Sequence, residues 1–312
     1  MIRVHPFTRR HQDSVAALGE VKLIAAIRRW LGNTCPRAPF GIGDDCAVLP
    51  PATGRGLVTV DPVIHGRHFD DTVPPEAVGA KLLKRNLSDI AAMGGRPRAA
   101  VLAITLDASV RTRWLERFYR GLAATARRYR VAVVGGDVAE APGVLAASLT
   151  LLGAATGPRV VTRTGAKSGD WIYVTGELGN SLATGHHHAF TPRLTEGAWL
   201  ARRPDVRSMM DLSDGLAKDL AALTPAGAAP ELDFNRLPLR KGSTVRAALT
   251  DGEDYELVFT LAARADRAAL ESGWRRRFPR VPLTCLGKFR PLDKRRTGGP
   301  SPGSLHGYEH FR

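Results

Sequence analysis

The sequence predicts a mixed α/β (α+β) protein in two domains, 1–155 and 156–312. Three observations lead there. The chain has 312 residues, 44% of them hydrophobic, more apolar material than one compact core comfortably holds. Apolar runs of strand length occur among segments whose apolar residues fall at helical spacing. The stretch TGP (156–158) interrupts that pattern and marks the boundary.

Each element can be justified in order. Residues 14–31 (SVAALGEVKLIAAIRRWL) have helical spacing of apolar positions. A Gly/Pro-rich turn (33–43) leads into GIGDDCAVLP (41–50), where Asp44 and Asp45 stand side by side. GLVTVD (56–61) reads as a buried strand ending in an aspartate. Residues 75–93 read as a helix with Pro in its first turn and Gly94–Gly95 beyond its end. RAAVLAITL (98–106) is a strand, 110–129 an amphipathic helix, and VAVVGGD (131–137) and VLAASLTLLGAA (144–155) are further strands. These strands are apolar on what should be both faces, so their sheet is expected to need cover beyond its own helices. That cover is expected from a second copy of the chain. In the second domain, TRTGAKSGD (162–170) is turn chemistry and WIYVTG a strand. A helical region starts near 193, followed by SMMDLSDGLAKDLAAL and TDGEDYELVFTL. The basic, Gly/Pro-rich stretch 291–304 reads as a surface loop.

Composition excludes several classes. No stretch of about 18 apolar residues exists, so no membrane span and no membrane partner are expected. The first residues, MIRVHPFTRRHQDS, lack the apolar core of a signal peptide. Cys35, Cys46 and Cys285 form no CxxC pair, which suits free thiols in a reducing cytoplasm. The formal charge is +15. The basic residues are scattered, however, and no RNA-binding aromatic motif accompanies them. A solvated basic surface, with no nucleic-acid partner, is therefore expected. GxxxxGK[ST], GxGxxG and kinase signatures are all absent. His186, His187 and His188 are consecutive, so their side chains point in different directions. With no acidic or Cys partner nearby in sequence, they make a poor transition-metal site.

The chemistry lies in the aspartates that end apolar runs. Asp45 follows GIGD, Asp61 ends LVTVD, Asp89 sits in NLSDIAAMGG, Asp137 ends VVGGD, and Asp211 and Asp214 sit in MMDLSDG. Aspartate is seldom fully buried unless paired. One reading is caps and turns, with Asp214 near a helix start and Asp89 pairing with Arg85 one turn back. The other is a set of carboxylates around hard cations. Mg²⁺ takes oxygen ligands and is usually held by a few carboxylates plus substrate phosphates.

GIGDDCAVL, NLSDIAAMGGRP, VVGGDV, VTRTGAKSGDWIYVTG (161–176), DLSDGLAKDL, DGEDYELVFT and GYEHF occur in this order over nearly the whole chain. Together they resemble the thiamine-monophosphate kinase family. Short pieces of the set also occur across a wider superfamily that includes aminoimidazole ribonucleotide synthetase, selenophosphate synthetase and a hydrogenase maturation protein. The resemblance implies ATP-dependent phosphorylation of thiamine monophosphate to thiamine diphosphate. It implies two α/β domains: an N-terminal ATP/Mg-binding and dimerisation domain, and a C-terminal domain completing the nucleotide and substrate site. The N-terminal sheets of two subunits would pair into a barrel, giving a homodimer. By the same resemblance, several Mg²⁺ ions fall on Asp45, Thr59, Asp61, Asp89, Asp137, Asp211 and Asp214. ATP falls on Gly136, Asp137, Arg163 and Ser213, and thiamine monophosphate on His68, Glu253 and Tyr308. Asp45, Asp89, Asp211 and Arg163 would carry the catalysis. The chain departs from the family at TVDP (59–62), where an STDT-like segment is usual. Val60 and Pro62 remove two hydroxyls, leaving Thr59, backbone oxygens or water for any metal contact there.

Overall fold

The computed structural model describes residues 5–37, 40–42, 47–49 and 54–292. Asp45 and Tyr308 lie outside the described residues, as do Asp44, Cys46 and the basic stretch from 293 onward. The chain divides into two compact units. One is Met1–Ile90 with Arg96–Ala154, the other Ala91–Gly95 with Ala155–Arg312.

The first unit is built from α1 (Gly19–Leu31), β1 (Gly56–Ile64), α2 (Pro75–Ala92), β2 (Gly95–Leu106), α3 (Thr112–Tyr129), β3 (Ala132–Glu140) and β4 (Leu145–Ala155). Its four strands lie in the order β1-β4-β2-β3. β1 runs antiparallel to β4, while β2 and β3 are parallel and joined through α3, the long crossover a parallel pair requires. In α2, Val78, Leu82, Leu83, Leu87 and Ile90 are buried at helical spacing. In α3 the buried stripe includes Trp114, Leu115, Phe118 and Leu122. The two helices approach closely where each has a glycine. A Cβ on Gly79 would lie 2.1 Å from the Phe118 carbonyl oxygen, and one on Gly121 2.0 Å from that of Glu76.

Two expectations need correction here. The helix expected over 14–31 begins only at Gly19, because Val15–Ala17 forms a separate 3-10 turn. GLVTVD is not a strand buried on both faces. Exposure alternates along β1, with Val58 69% and Val60 61% exposed. Thr59, Asp61 and Val63 share the more enclosed face, and Val58, Val60, Pro62 and Ile64 share the other, as the two-residue period of a strand requires. The open face continues onto β4, where Leu152, Thr150, Ser148 and Ala146 pair with those four residues.

The second unit comprises β5 (Trp171–Thr175), α4 (His186–Ala189), α5 (Leu194–Ala201), β6 (Val206–Asp211), α6 (Leu216–Leu223), β7 (Ala228–Leu232), α7 (Val245–Thr250), β8 (Leu257–Leu261), α8 (Arg267–Arg277) and β9 (Leu283–Pro291). Its five-stranded sheet has the order β6-β8-β5-β9-β7, with antiparallel pairing throughout. This sheet is covered on both faces. Ile172, Val174, Met210 and Val258 pack with Leu216 and Leu220 of α6. Tyr173, Met209 and Phe259 pack with Leu200 of α5 and with Leu270 and Trp274 of α8. Double-sided cover explains why β8 is buried at every position and apolar at all but Thr260. Among the described residues neither sheet closes into a barrel. Among the described residues no helix is long and apolar enough to cross a membrane, and Cys35 and Cys285 are free thiols.

Candidate active site

In the first unit, the enclosed face of β1 meets α2. Thr59 Oγ1 donates to Asp89 Oδ2 at 2.5 Å. Arg85, one turn before Asp89, reaches the same strand: Nη2 lies 3.2 Å from Asp61 Oδ1, and Nη1 donates to the Pro62 carbonyl at 2.5 Å. The pairing anticipated between Arg85 and Asp89 is thus matched by one between Arg85 and Asp61, across the strand–helix contact. The absent hydroxyls at positions 60 and 62 belong to the opposite face of β1, away from the Thr59 side. His68 is fixed at the end of β1, where its Nδ1 accepts from the Ile64 N–H at 3.1 Å. In a neutral ring the proton then sits on Nε2.

Gly136 and Asp137 lie on β3, which among the described residues is an edge strand paired with β2. An edge leaves backbone donors and acceptors outside the ladder. A cavity of about 500 Å³ opens beside them, walled by Ile24, Ile27 and Leu31 of α1, by Leu102 and by Tyr119. Gly136 also has a packing reason: a Cβ there would lie 2.1 Å from the Leu102 carbonyl oxygen.

In the second unit, β6 ends at buried Asp211, and a turn leads into α6. Asp214 pairs with Lys218 at 2.7 Å. It is not the N-cap, a position held by Gly215. Its backbone N–H donates at 3.0 Å to Asp219 Oδ2. Asp219 was not among the expected site residues. Its carboxyl is pushed up to about 8 by burial and by the charges of Asp211 and Asp214. It lies inside a helix rather than at the end of an apolar run, so the pattern that singled out the other aspartates passes it over. Arg163 is exposed, next to Thr162, whose carbonyl accepts from Met209 of β6 at 3.0 Å.

The segment Asp251–Glu256 runs along Leu212 and Ser213. The N–H groups of Glu253 and Tyr255 donate to the carbonyls of Ser213 and Leu212, both at 2.8 Å. Three of its four acids are clamped. Asp251 accepts from the Asn180 N–H at 2.8 Å. Asp254, 1% exposed, accepts from Gly179 N–H, from Ser181 Oγ at 2.6 Å and from Arg240 Nη1 at 2.7 Å. Glu256 accepts from Thr175 Oγ1 and from Arg193 Nε, each at 2.7 Å. Glu253 differs. Its backbone φ is +55°, in the left-handed region, and its carboxylate lies beside His187 Nδ1 and the Tyr255 hydroxyl, each at 3.5 Å. Such a conformation costs energy for a non-glycine residue and tends to occur at functional sites.

Among the described residues no three His, Cys, Asp or Glu side chains converge as a ready metal site. The acids do present oxygen donors alone, as Mg²⁺ prefers. Burial first, and then the charges of Asp211 and Asp214, raise the Asp219 carboxyl, and a cation beside these carboxylates would offset their mutual repulsion. The histidine run is used differently, since His186 Nε2 lies 3.0 Å from the Asp254 carbonyl.

Residues 43–157 match the family model for AIR synthase related protein, N-terminal domain. The chain is 35% identical over 329 aligned positions to the thiamine-monophosphate kinase of Salmonella typhimurium, covering 95% of this chain and 99% of that protein. The crystal structure of thiamine-monophosphate kinase from Stenotrophomonas maltophilia superposes with a TM-score of 0.72 at 31% identity, over 88% of this chain and 95% of that one. AaThiL complexed with AMPPCP and TMP superposes with a TM-score of 0.63 at 28% identity, over 98% and 100% of the two chains.

Proposed function

Because the chain belongs to the thiamine-monophosphate kinase family, we propose that it transfers the γ-phosphoryl group of ATP onto the phosphate of thiamine monophosphate, yielding thiamine diphosphate and ADP. The observation that carries this reading is similarity to kinases of that name along nearly their full length.

Both reactants are phosphates, so negative charge gathers as the phosphoryl group moves. Asp61, Asp89 and Asp137 of the first unit and Asp211 and Asp214 of the second are assigned as Mg²⁺ ligands, with Asp45, and Thr59 holds the Asp89 carboxylate in place. The bound ions would supply charge neutralisation and alignment of the reacting oxygens. Arg163 is assigned to the phosphates, where a guanidinium can donate in a bidentate fashion. Gly136 and Asp137 are assigned to the nucleotide, and the cavity beside them suits an aromatic base by its apolar walls. Ser213 is likewise assigned to the nucleotide. His68, Glu253 and Tyr308 are assigned to thiamine monophosphate. The acceptor oxygen of a phosphate monoester is already largely ionised, so no strong general base is required.

Two further parts belong to this reading. The open face of the first sheet is assigned to pairing with a second copy, giving a homodimer with an intersubunit barrel. Val58, Val60 and Ile64 would then be covered. The cytoplasm is assigned as the compartment, in keeping with the free thiols of Cys35 and Cys285.

The test is direct. The purified protein is incubated with Mg²⁺, ATP and thiamine monophosphate, and the products are separated. Thiamine diphosphate formed in equal amount to ADP is the expected result. ADP without thiamine diphosphate, or no turnover with calorimetry showing no binding of thiamine monophosphate, would overturn the reading.

A further inference from the structure

Glu253 differs from its acidic neighbours in lying beside His187 and the Tyr255 hydroxyl. The helix α4 and the residue after it, HHHAF (186–190), lie against Asp251–Glu256 at several points. His186 Nε2 is 3.0 Å from the Asp254 carbonyl. His187, buried, places Nδ1 3.5 Å from Glu253 Oε2. The His187 and His188 rings meet edge to face at 4.7 Å. Phe190 stacks on Tyr255 with ring centroids 4.0 Å apart, and the Tyr255 hydroxyl stands 3.5 Å from Glu253 Oε1. Tyr255, like Glu253, has a positive φ, at +51°. Glu253 thus meets His187 of α4, and Tyr255 meets Phe190 just beyond its end. Arg240 and Arg193 pin the even-numbered acids, Asp254 and Glu256, into the interior.

From this we infer that His187 and Tyr255 are positioning residues for Glu253, one on each carboxylate oxygen, and so set affinity for the organic part of thiamine monophosphate. The inference rests on the proposed contact of Glu253 with that substrate. The chemistry is that of a carboxylate offered to a ligand with a donor amine on its pyrimidine ring and a positive charge on its thiazolium ring. A carboxylate free to rotate would lose entropy on binding, whereas one flanked by an imidazole and a hydroxyl, each at 3.5 Å, loses less. The HHH run therefore serves substrate selection, with His186 as the anchor and His187 as the effective group.

Steady-state kinetics on four variants tests this: His187→Ala, His187→Asn, Tyr255→Phe and Glu253→Gln. His187→Ala is expected to raise KM for thiamine monophosphate roughly tenfold or more, the scale of losing a hydrogen bond to a charged group. KM for ATP should change less than about twofold, since no nucleotide contact is removed. His187→Asn should recover most of the affinity, because its amide can donate in place of Nδ1, and Tyr255→Phe should show a smaller rise of the same selectivity. If His187→Ala fails to fold, Tyr255→Phe and His187→Asn decide. A rise in the thiamine-monophosphate KM for Tyr255→Phe, with near-wild-type values for His187→Asn, upholds the inference. Unchanged KM in both His187→Ala and Tyr255→Phe overturns it, as does an equal rise for both substrates. Glu253→Gln separates the two layers. If it leaves KM for thiamine monophosphate unchanged, the substrate role of Glu253 fails and the inference with it. If it raises that KM while His187→Ala and Tyr255→Phe do not, only the positioning role fails.

Discussion

Thr59 Oγ1 and Asp89 Oδ2 form a 2.5 Å hydrogen bond between residues thirty positions apart. The hydroxyl comes from the enclosed face of β1 and the carboxylate from the last turns of α2. A serine or threonine at position 60 would point to the other face of the strand, so Val60 costs this pair nothing.

If Asp89 holds Mg²⁺, Asp89→Asn removes an anionic ligand while keeping the side-chain shape. Turnover at ordinary Mg²⁺ should be lost, while the melting temperature stays within a few degrees of wild type. Thr59→Val should lower turnover less and raise the Mg²⁺ concentration needed for half-maximal rate. Near-normal turnover in a folded Asp89→Asn protein would remove Asp89 from the ligand set.

The open face of the first sheet predicts self-association. Val60, at 61% exposed, has little to lose within its own chain, so Val60→Asp should leave the fold intact while placing a charge in the proposed interface. Sedimentation should show a dimer for wild type at micromolar concentration and a lighter species for the variant. A monomeric, fully active wild type would end the claim.

Buried ion pairs give a sharper stability prediction. Asp254 and Arg240 are 1% and 8% exposed, and Asp254 accepts from three donors, the Gly179 N–H, Ser181 Oγ and Arg240 Nη1. Removing one member strands a buried charge, so Asp254→Ala should cost about 3–5 kcal/mol in urea unfolding. A loss under 1 kcal/mol would mean that Arg240 finds water on its own, as surface ion pairs do.

Lys84 supplies the pH dependence. Burial, aided by the nearby positive charge of Arg128, pushes its ammonium down to about 8 from an ordinary 10.5. The folded chain therefore binds this proton less tightly than the unfolded chain. Below pH 8 both states are charged and the folded state bears the full penalty; between pH 8 and 10.5 the penalty fades as the folded state loses its proton first. Lys84→Met should thus raise the melting temperature at pH 7, and the advantage over wild type should shrink as pH rises toward 10.5. A difference that does not vary with pH would assign the effect to packing.

The sequence by itself determined much of the first unit. Helical spacing and apolar runs of strand length are local properties, and they located α2, α3 and all four strands. The aspartates could be recognised as unusual because they end apolar runs, and the ordered motifs pointed to the family. Burial was less legible. β1 and β8 are both apolar in sequence, yet β1 keeps an open face while β8 is covered on both sides by α5, α6 and α8. The roles of neighbouring acids were not legible either. In DGEDYE, Asp254 and Glu256 are tied down by Arg240 and Arg193, fourteen and sixty-three residues upstream of them respectively, while Glu253 faces His187. Asp219 escaped notice for the same reason, since its raised affinity for a proton comes from burial and from two carboxylates brought beside it. Periodicity is written along the chain. The partner of a charge is chosen by which elements pack together, and that choice exists only once the chain has folded.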